Sequence, residues 1–395
     1  MSVLFLSHMF PNSADPFLGK FVYDLARILN HKVHVLVVAP VPYFPFMSKF
    51  KKYRNYKNII SEREESGLKI MHPRFLLIPR YWKWLDAVFY LFGCSIILFN
   101  QIKKCDVVVA HWTFPDAFVG LFFAKLLGKK IILVVHGNES IHYHDSPTLR
   151  KMLVNYTVHR MDHLVPVSVD LQQKLYSSYN IPADRMTVIH SGVDLELFPA
   201  RNVYKSRHDL NLSAKAKVIL CVARLSKEKA HINLLKAFKA ICYTDNLSLN
   251  LYCLGEGPER ERLEIYIKEN DLERNVFLLG NVPHDRVHLW MSAADIFVLP
   301  SLWEGAPVVI GEAFACGLPV VASEVGGIPD LIVNDRLGLL FTPDSVSSLE
   351  SALRLALEKN WDRNYIRRHG LNFSWEKIAH NFINIFDKIC LGSGQ

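Results

Sequence analysis

What most constrains this chain is a repeated pattern: a short, mostly apolar run, then a longer amphipathic stretch, many times over. Val3–Leu6, Val33–Val38, Val107–Ala110, Ile131–Val135 and Leu164–Val167 are apolar runs without alternation, as in parallel strands buried on both faces. Helical patterns over Phe21–Leu29, Ala117–Leu127 and Leu149–Arg160 lie between them. A second series follows, with strands at Val218–Val222, Leu249–Leu254, Val276–Leu279, Ile296–Leu299 and Pro319–Ala322. Its helices read as Ile232–Ile241, Glu259–Glu269, Val287–Ala293 and Val308–Ala315. Two such series predict two doubly wound α/β domains.

The divide falls near Phe198–Lys215, where Pro199 precedes a polar stretch with few large apolar residues. The expected domains are 1–199 and 200–375, both Rossmann-like. A final helix, 376–395, is expected to pack back on the first domain. Facing α/β domains leave a cleft at the carboxyl ends of their strands, where ligands bind. Informative residues should therefore follow strands directly.

Composition narrows the class. Half of the 395 residues are hydrophobic and 12% aromatic, which excludes a disordered chain. The seven cysteines show no paired spacing, which argues against a disulfide framework or a zinc site and for a reducing compartment. The net charge is +8, and all of it falls in residues 1–199, with 23 Lys/Arg against 15 Asp/Glu. That asymmetry points to an anionic partner for one domain, with solubility alone as the alternative. No signal-peptide pattern opens the chain, and the longest apolar run, Ala87–Phe99, is too short to span a bilayer and reads as a buried helix. The expected location is cytoplasmic.

The most informative segment is Pro300–Leu331, PSLWEGAPVVIGEAFACGLPVVASEVGGIPDL. After a strand ending at Leu299 comes a loop. Pro307 suits the first turn of a helix that runs to about Cys316, and Gly317 suits the position after it. The helix start offers free N–H groups to an anion. Glu304 sits beside that start. Glu312 falls on an otherwise apolar stretch, where a carboxylate needs hydroxyl or N–H donors. Arg224 and Lys229, five apart on the loop after a strand, suit a diphosphate. Gly19 follows the first strand. Gly326 and Gly327 precede a helix, where close approach to a ligand and a turn into the helix are equally open readings. No Asp-x-Asp, P-loop, complete G-x-G-x-x-G or H-E-x-x-H is present.

These motifs resemble the retaining glycosyltransferases of family 4, which have the GT-B fold: two facing Rossmann-like domains with an interdomain cleft. The resemblance runs over nearly the whole chain. It rests on the Glu304-x7-Glu312 spacing and on PNSADPFLGKFV, VVHGNE, IHSGVDLELF, VARLSKEK and LLGNVP in order. It implies donor-sugar contact by Glu304 and ribose contact by Glu312. Gly305, Ala306, Pro307 and Val308 would surround the diphosphate, with Pro307 itself offering no N–H. Gly280, Asn281 and Val282 would meet the base. His136 would lie near donor sugar and acceptor, and Gly19 near the phosphate; His111 and Asp116 are acceptor-side candidates. Relatives often have Gly where Ala230 stands.

The implied activity is retaining, metal-independent hexosyl transfer from a nucleotide-diphosphate-sugar to a hydroxyl of a glycolipid or growing cell-surface polysaccharide. A UDP-sugar is favoured over GDP-mannose, and the nucleotide-sugar is a co-substrate, so no cofactor is expected. The alternatives are a nucleotide-sugar epimerase, a phosphorylase or a non-catalytic nucleotide-sugar-binding protein. Phe44–Lys57 and Arg80–Trp84 mix Lys and Arg with aromatics, the composition of an interfacial segment. They predict peripheral contact with an anionic membrane at its inner face; no nucleic-acid partner is expected.

Overall fold

The computed structural model describes residues 1–45, 47–50, 53–77, 85–137, 148–244 and 248–391. The chain forms two compact units, Met1–Ser191 with Trp375–Gln395, and Gly192–Ser374.

The first unit runs β1 (Ser2–Leu6), α1 (Lys20–Asn30), β2 (His34–Val38), β3 (Val41–Tyr43), β4 (Glu62–Glu65), β5 (Leu68–Met71), β6 (Arg74–Leu76), α2 (Leu85–Lys104), β7 (Val107–His111), α3 (Phe118–Leu126), β8 (Lys130–Val135), α4 (Thr148–Arg160), β9 (His163–Pro166) and α5 (Val169–Tyr179). Seven strands form one sheet, β4-β5-β2-β1-β7-β8-β9, parallel except for the β4–β5 hairpin. β1 is central: Leu4 sits opposite Leu36 on one side and Val108 on the other. Strand order reverses between β1 and β7, and a sheet of this kind opens a ligand crevice there. Helices α2, α3 and α4 bury Tyr90, Cys94, Leu98, Val119 and Val154 with Leu4 and Leu6 in one core.

The second unit runs α6 (Val203–Asp209), β10 (Lys217–Val222), α7 (His231–Thr244), β11 (Leu249–Leu254), α8 (Arg260–Glu269), β12 (Val276–Gly280), α9 (His284–Ala293), β13 (Ile296–Leu299), α10 (Val308–Ala315), β14 (Val320–Ser323), α11 (Ile328–Leu331), β15 (Gly338–Phe341), α12 (Val346–Glu358) and α13 (Arg363–Gly370). Its sheet, β12-β11-β10-β13-β14-β15, is parallel and reverses between β10 and β13. Successive residues of β10 face opposite cores: Leu220 joins Phe297 and Phe314, and Ile219 joins Phe238 and Leu251. The chain then closes with α14 (Trp375–Leu391), which packs on α1 and buries Trp375, Phe382 and Phe386.

Three features differ from the sequence reading. The units divide at Ser191/Gly192 rather than 199/200. The Val193 N–H donates to the Phe373 carbonyl at 2.7 Å, and Phe198 is buried in the second core, so the connecting stretch folds with that unit. The β4–β5 hairpin was not expected, because Glu-Arg-Glu-Glu has no apolar face. Its turn, Ser66–Gly67, takes left-handed φ of 52° and 73°. Helix α2 is not wholly buried: Ala87, Tyr90 and Cys94 face the sheet, while Phe92 and Ile96 are 72% and 76% exposed. None of the seven cysteines is in a disulfide, and five are buried.

Candidate active site

In the second unit, the loops after β10 and β13 meet at the point where strand order reverses. The β10 loop carries Arg224, which is exposed, and Lys229. Gly255 and Gly257 hold this loop from beneath: a Cβ on either would lie 2.1–2.2 Å from the carbonyl oxygen of Ala223 or Leu225. The G-E-G sequence thus packs the cation loop. Lys229 closes a short left-handed turn at Ala230, with φ 46° and ψ 37°.

The β13 loop brings the acids. Lys229 Nζ donates to Glu304 Oε1 at 2.5 Å, and Ser301 Oγ donates to the same oxygen at 2.6 Å. Glu304 is 9% exposed, so both donors offset its desolvation. The loops are cross-tied where the Leu302 N–H donates to the Glu228 carbonyl at 2.8 Å. Ser226 Oγ donates to the Glu228 carboxylate at 2.6 Å, which lowers its pKa. Gly326 lies directly under Glu304, and a Cβ there would stand 1.9 Å from the Glu304 carbonyl oxygen. Gly327 caps α11 and donates to the Gly305 carbonyl at 2.8 Å. The Gly-Gly pair therefore supports the Glu304 loop.

Helix α10 has the bounds that the apolar pattern gives, with Pro307 just before it rather than inside its first turn. Pro307 is its N-cap, in extended conformation, and Val308 opens the helix. No side chain caps this end, so its first N–H groups remain available to an anion beside Glu304, Gly305 and Ala306. Glu312 is 7% exposed on α10 and is joined by His284 Nε2 at 2.8 Å. His284 opens α9 directly after Gly280, Asn281, Val282 and Pro283, so it links that loop to Glu312. Sequence reading missed His284 because a lone histidine after a proline has no pattern around it. The Gly280 carbonyl accepts the Gly255 N–H at 2.8 Å, and Asn281 is exposed.

The first unit places a different cluster at its own reversal, between β1 and β7. Asp116 is fully buried. Its Oδ1 accepts the His8 N–H at 2.9 Å and the Tyr90 hydroxyl at 2.5 Å, and its Oδ2 lies 2.5 Å from His8 Nδ1. The Tyr90 hydroxyl is pushed well above its usual pKa, chiefly by burial, with the Asp116 charge adding to it. His111 is likewise fully buried, and its Nδ1 lies 2.8 Å from His136 Nε2 in a stacked ring pair. Phe21 and Trp112 flank His136, with ring centroids 4.8 and 5.1 Å away. Burial lowers the His136 pKa to about 3 and holds His111 well below 6.5, so both are neutral at pH 7.

The acceptor-side candidates fall within this cluster. His111 and Asp116 lie beneath the surface, with atoms committed to His136 and His8. The groups they present are His136 and His8, the latter 31% exposed at its side chain. His8 had no distinguishing sequence context; its partner Asp116 is 108 residues away. Gly19 is the left-handed N-cap of α1. A Cβ there would stand 2.1 Å from the Met9 carbonyl oxygen, so it serves close packing of the chain on itself.

The expected interfacial segments are only partly described. Arg80–Trp84 lies outside the described residues, as do Phe46, Lys51 and Lys52. Phe44 and Met47 are buried, and Phe44 packs edge-on against Phe50 and Tyr53 at 5.4 and 5.3 Å. Those aromatics form a local nest. Among the described residues no cluster of His, Cys, Asp or Glu could hold a metal ion.

Comparison with known proteins matches both units. Residues 18–197 match the model of Glycosyltransferase Family 4, and residues 203–373 that of Glycosyl transferases group 1. The chain is 25% identical over 373 residues to a putative teichuronic acid biosynthesis glycosyltransferase of Bacillus subtilis, covering 91% of this chain and 90% of that one. It is 26% identical over 349 residues to the GPI3 subunit of phosphatidylinositol N-acetylglucosaminyltransferase of Saccharomyces cerevisiae, covering 85% and 74%. The structure of Anabaena HepE in complex with UDP shares the fold, with TM-score 0.74, 18% identity and coverage of 98% and 100%.

Proposed function

We propose, for a chain that belongs to the group 1 glycosyltransferases and has the GT-B fold, that it transfers a hexose with retention of configuration from a nucleotide-diphosphate-sugar to an acceptor hydroxyl. The observation that carries this reading is the Lys229–Glu304–Ser301 contact, flanked by exposed Arg224 and the uncapped start of α10. One cation, Lys229, is bonded to the Glu304 carboxylate, with Arg224 on the same loop and a helix N-terminus just after the Glu304 loop, a set that suits a bond between a diphosphate and a sugar. The carboxylate would take hydroxyls of the sugar. Arg224, Lys229 and the α10 N–H groups would hold the diphosphate.

Negative charge accumulates on the leaving diphosphate as the glycosidic bond stretches. Fixed donors aimed at that charge lower the barrier without reorganising. Glu312, held by His284, would accept the ribose hydroxyls, and the backbone of Gly280, Asn281 and Val282 would read the base. These cations supply the charge that a metal ion supplies elsewhere, so the reaction is proposed to need none. On the acceptor side, His136 would offer a neutral hydrogen-bonding nitrogen and His8 an imidazole fixed by Asp116.

A UDP-sugar is the favoured donor, in keeping with UDP in the HepE structure. A glycolipid or cell-surface polysaccharide acceptor accords with the teichuronic acid and phosphatidylinositol relatives. Such an acceptor would put the enzyme at the inner face of a membrane. The test incubates the protein with UDP- and GDP-sugars and a lipid-extract acceptor, then identifies the products. Free nucleoside diphosphate with an α-linked glycoside supports the reading. A sugar epimer, a sugar phosphate or a β-linked product contradicts it.

A further inference from the structure

The three helices on one side of the first unit's sheet carry an apolar outer surface. Helix α2 has two faces. Tyr90, Cys94, Leu98 and Ile102 recur every fourth residue and are buried, whereas Val88, Phe92, Ile96 and Phe99 lie opposite them and are exposed. Helix α3 packs beside α2 and exposes Phe122 and Leu126; α4 packs beside α3 and exposes Met152 and Tyr156. Each pair is spaced four apart, on one side of its helix. The inner faces of all three share one core, so their outer faces look the same way. Single exposed apolar residues are ordinary, but a patch across adjacent helices marks an interaction surface.

Charge selects the occupant. α2, α3 and α4 hold six Lys or Arg and one acidic residue, Asp86. Lys103 and Lys104 end α2 and Arg160 ends α4 with its guanidinium 4.5 Å from the Tyr156 ring, while Lys125 in the last turn of α3 is paired with Asp162 at 3.2 Å. A second copy docked through this face would bring like charges together. A surface with an apolar interior and phosphate groups at its edge satisfies both the side chains and the cations.

We propose that the outer faces of α2, α3 and α4 dock on an anionic lipid bilayer, with the apolar side chains entering the headgroup layer and the cations meeting lipid phosphates. This rests on the reading that the enzyme works at a membrane, and it assigns the contact to the outer faces of these three helices.

The test is co-sedimentation of the full chain with vesicles of phosphatidylglycerol and phosphatidylcholine, and with phosphatidylcholine alone. The wild type should bind the anionic vesicles, and the double variant Phe92→Ser, Ile96→Ser should bind at least tenfold more weakly. Lys103→Gln with Lys104→Gln should cost about fivefold per cation removed. Ile265→Ser, at an exposed apolar residue of α8, should change nothing. An unchanged thermal midpoint for the Phe92, Ile96 variant separates lost docking from unfolding. Equal binding by that variant and the wild type would overturn the assigned face while leaving membrane binding standing. No binding by the wild type would overturn both, and a dimer in gel filtration that the variant dissociates would overturn the assigned face. Nucleoside diphosphate binding, measured on the same samples, reports the transferase reading separately.

Discussion

Gly326→Ala tests how the Glu304 loop is held. Gly326 has φ +53°, and a Cβ there would lie 1.9 Å from the Glu304 carbonyl oxygen. Real Cβ atoms essentially never approach under 3.0 Å, so backbone must move by at least 3.0 − 1.9 = 1.1 Å. Gly128 supplies the internal control: its φ is +64°, with nothing within 4 Å of the added Cβ. Alanine at either site meets the left-handed penalty, about 1–2 kcal/mol. Gly128→Ala should stop there. Gly326→Ala should lose about 1–3 kcal/mol more through overpacking. A displacement of that size in the loop bearing Glu304 should also lower turnover by about 100-fold. Urea unfolding of both variants gives the stability difference, and release of nucleoside diphosphate from the donor gives the rate. If Gly326→Ala matched Gly128→Ala in both, the idea that Gly326 fixes the loop by close approach would be refuted.

Arg224→Ala or Lys229→Ala should each lower turnover by about 10²–10³, since each removes a fixed positive charge from the leaving group. Near-normal rates of nucleoside diphosphate release would remove that role. Ala230 holds a left-handed turn that glycine adopts without steric cost, so Ala230→Gly should raise stability by about 0.5 kcal/mol after its unfolded-state entropy is counted; a loss of stability in urea would contradict this. His163 is buried with its Nε2 2.9 Å from Thr187 Oγ1, and burial, assisted by Lys388 and Arg185, lowers its pKa to about 4. The unfolded chain therefore binds a proton below about pH 6.5 that the folded chain refuses until about pH 4, and stability falls as pH drops through that window. His163→Gln should flatten the acid limb by about 1.4 kcal/mol per pH unit; urea midpoints with an unchanged pH slope would count against it.

The sheets were legible because their strands are continuous apolar runs, and β11 and β13 have the bounds the pattern gives. The β4–β5 hairpin was not, because a polar edge strand has no periodicity of its own and forms by pairing with Leu68–Met71. Helix α2 was read as buried because its apolar residues continue round the helix; only the sheet's position decides that Tyr90 is inside and Phe92 outside. Sequence motifs marked Lys229, Glu304 and Glu312, but not what joins them. His284 reaches Glu312 across 28 residues, and His8 reaches Asp116 across 108. Such pairs exist only once the strands are in register. The glycines were visible as motifs, yet the atoms they make room for, the carbonyls of Met9 and Glu304, belong to distant segments.

The most direct test of the nucleotide-sugar site is calorimetric titration of UDP into the wild type, Lys229→Ala and Glu312→Gln. The site described here predicts saturable binding by the wild type and at least a tenfold loss in each variant, with folding retained. Equal affinity in all three, or heat from none of UDP, GDP and ADP, would mean that these residues do not hold a nucleoside diphosphate.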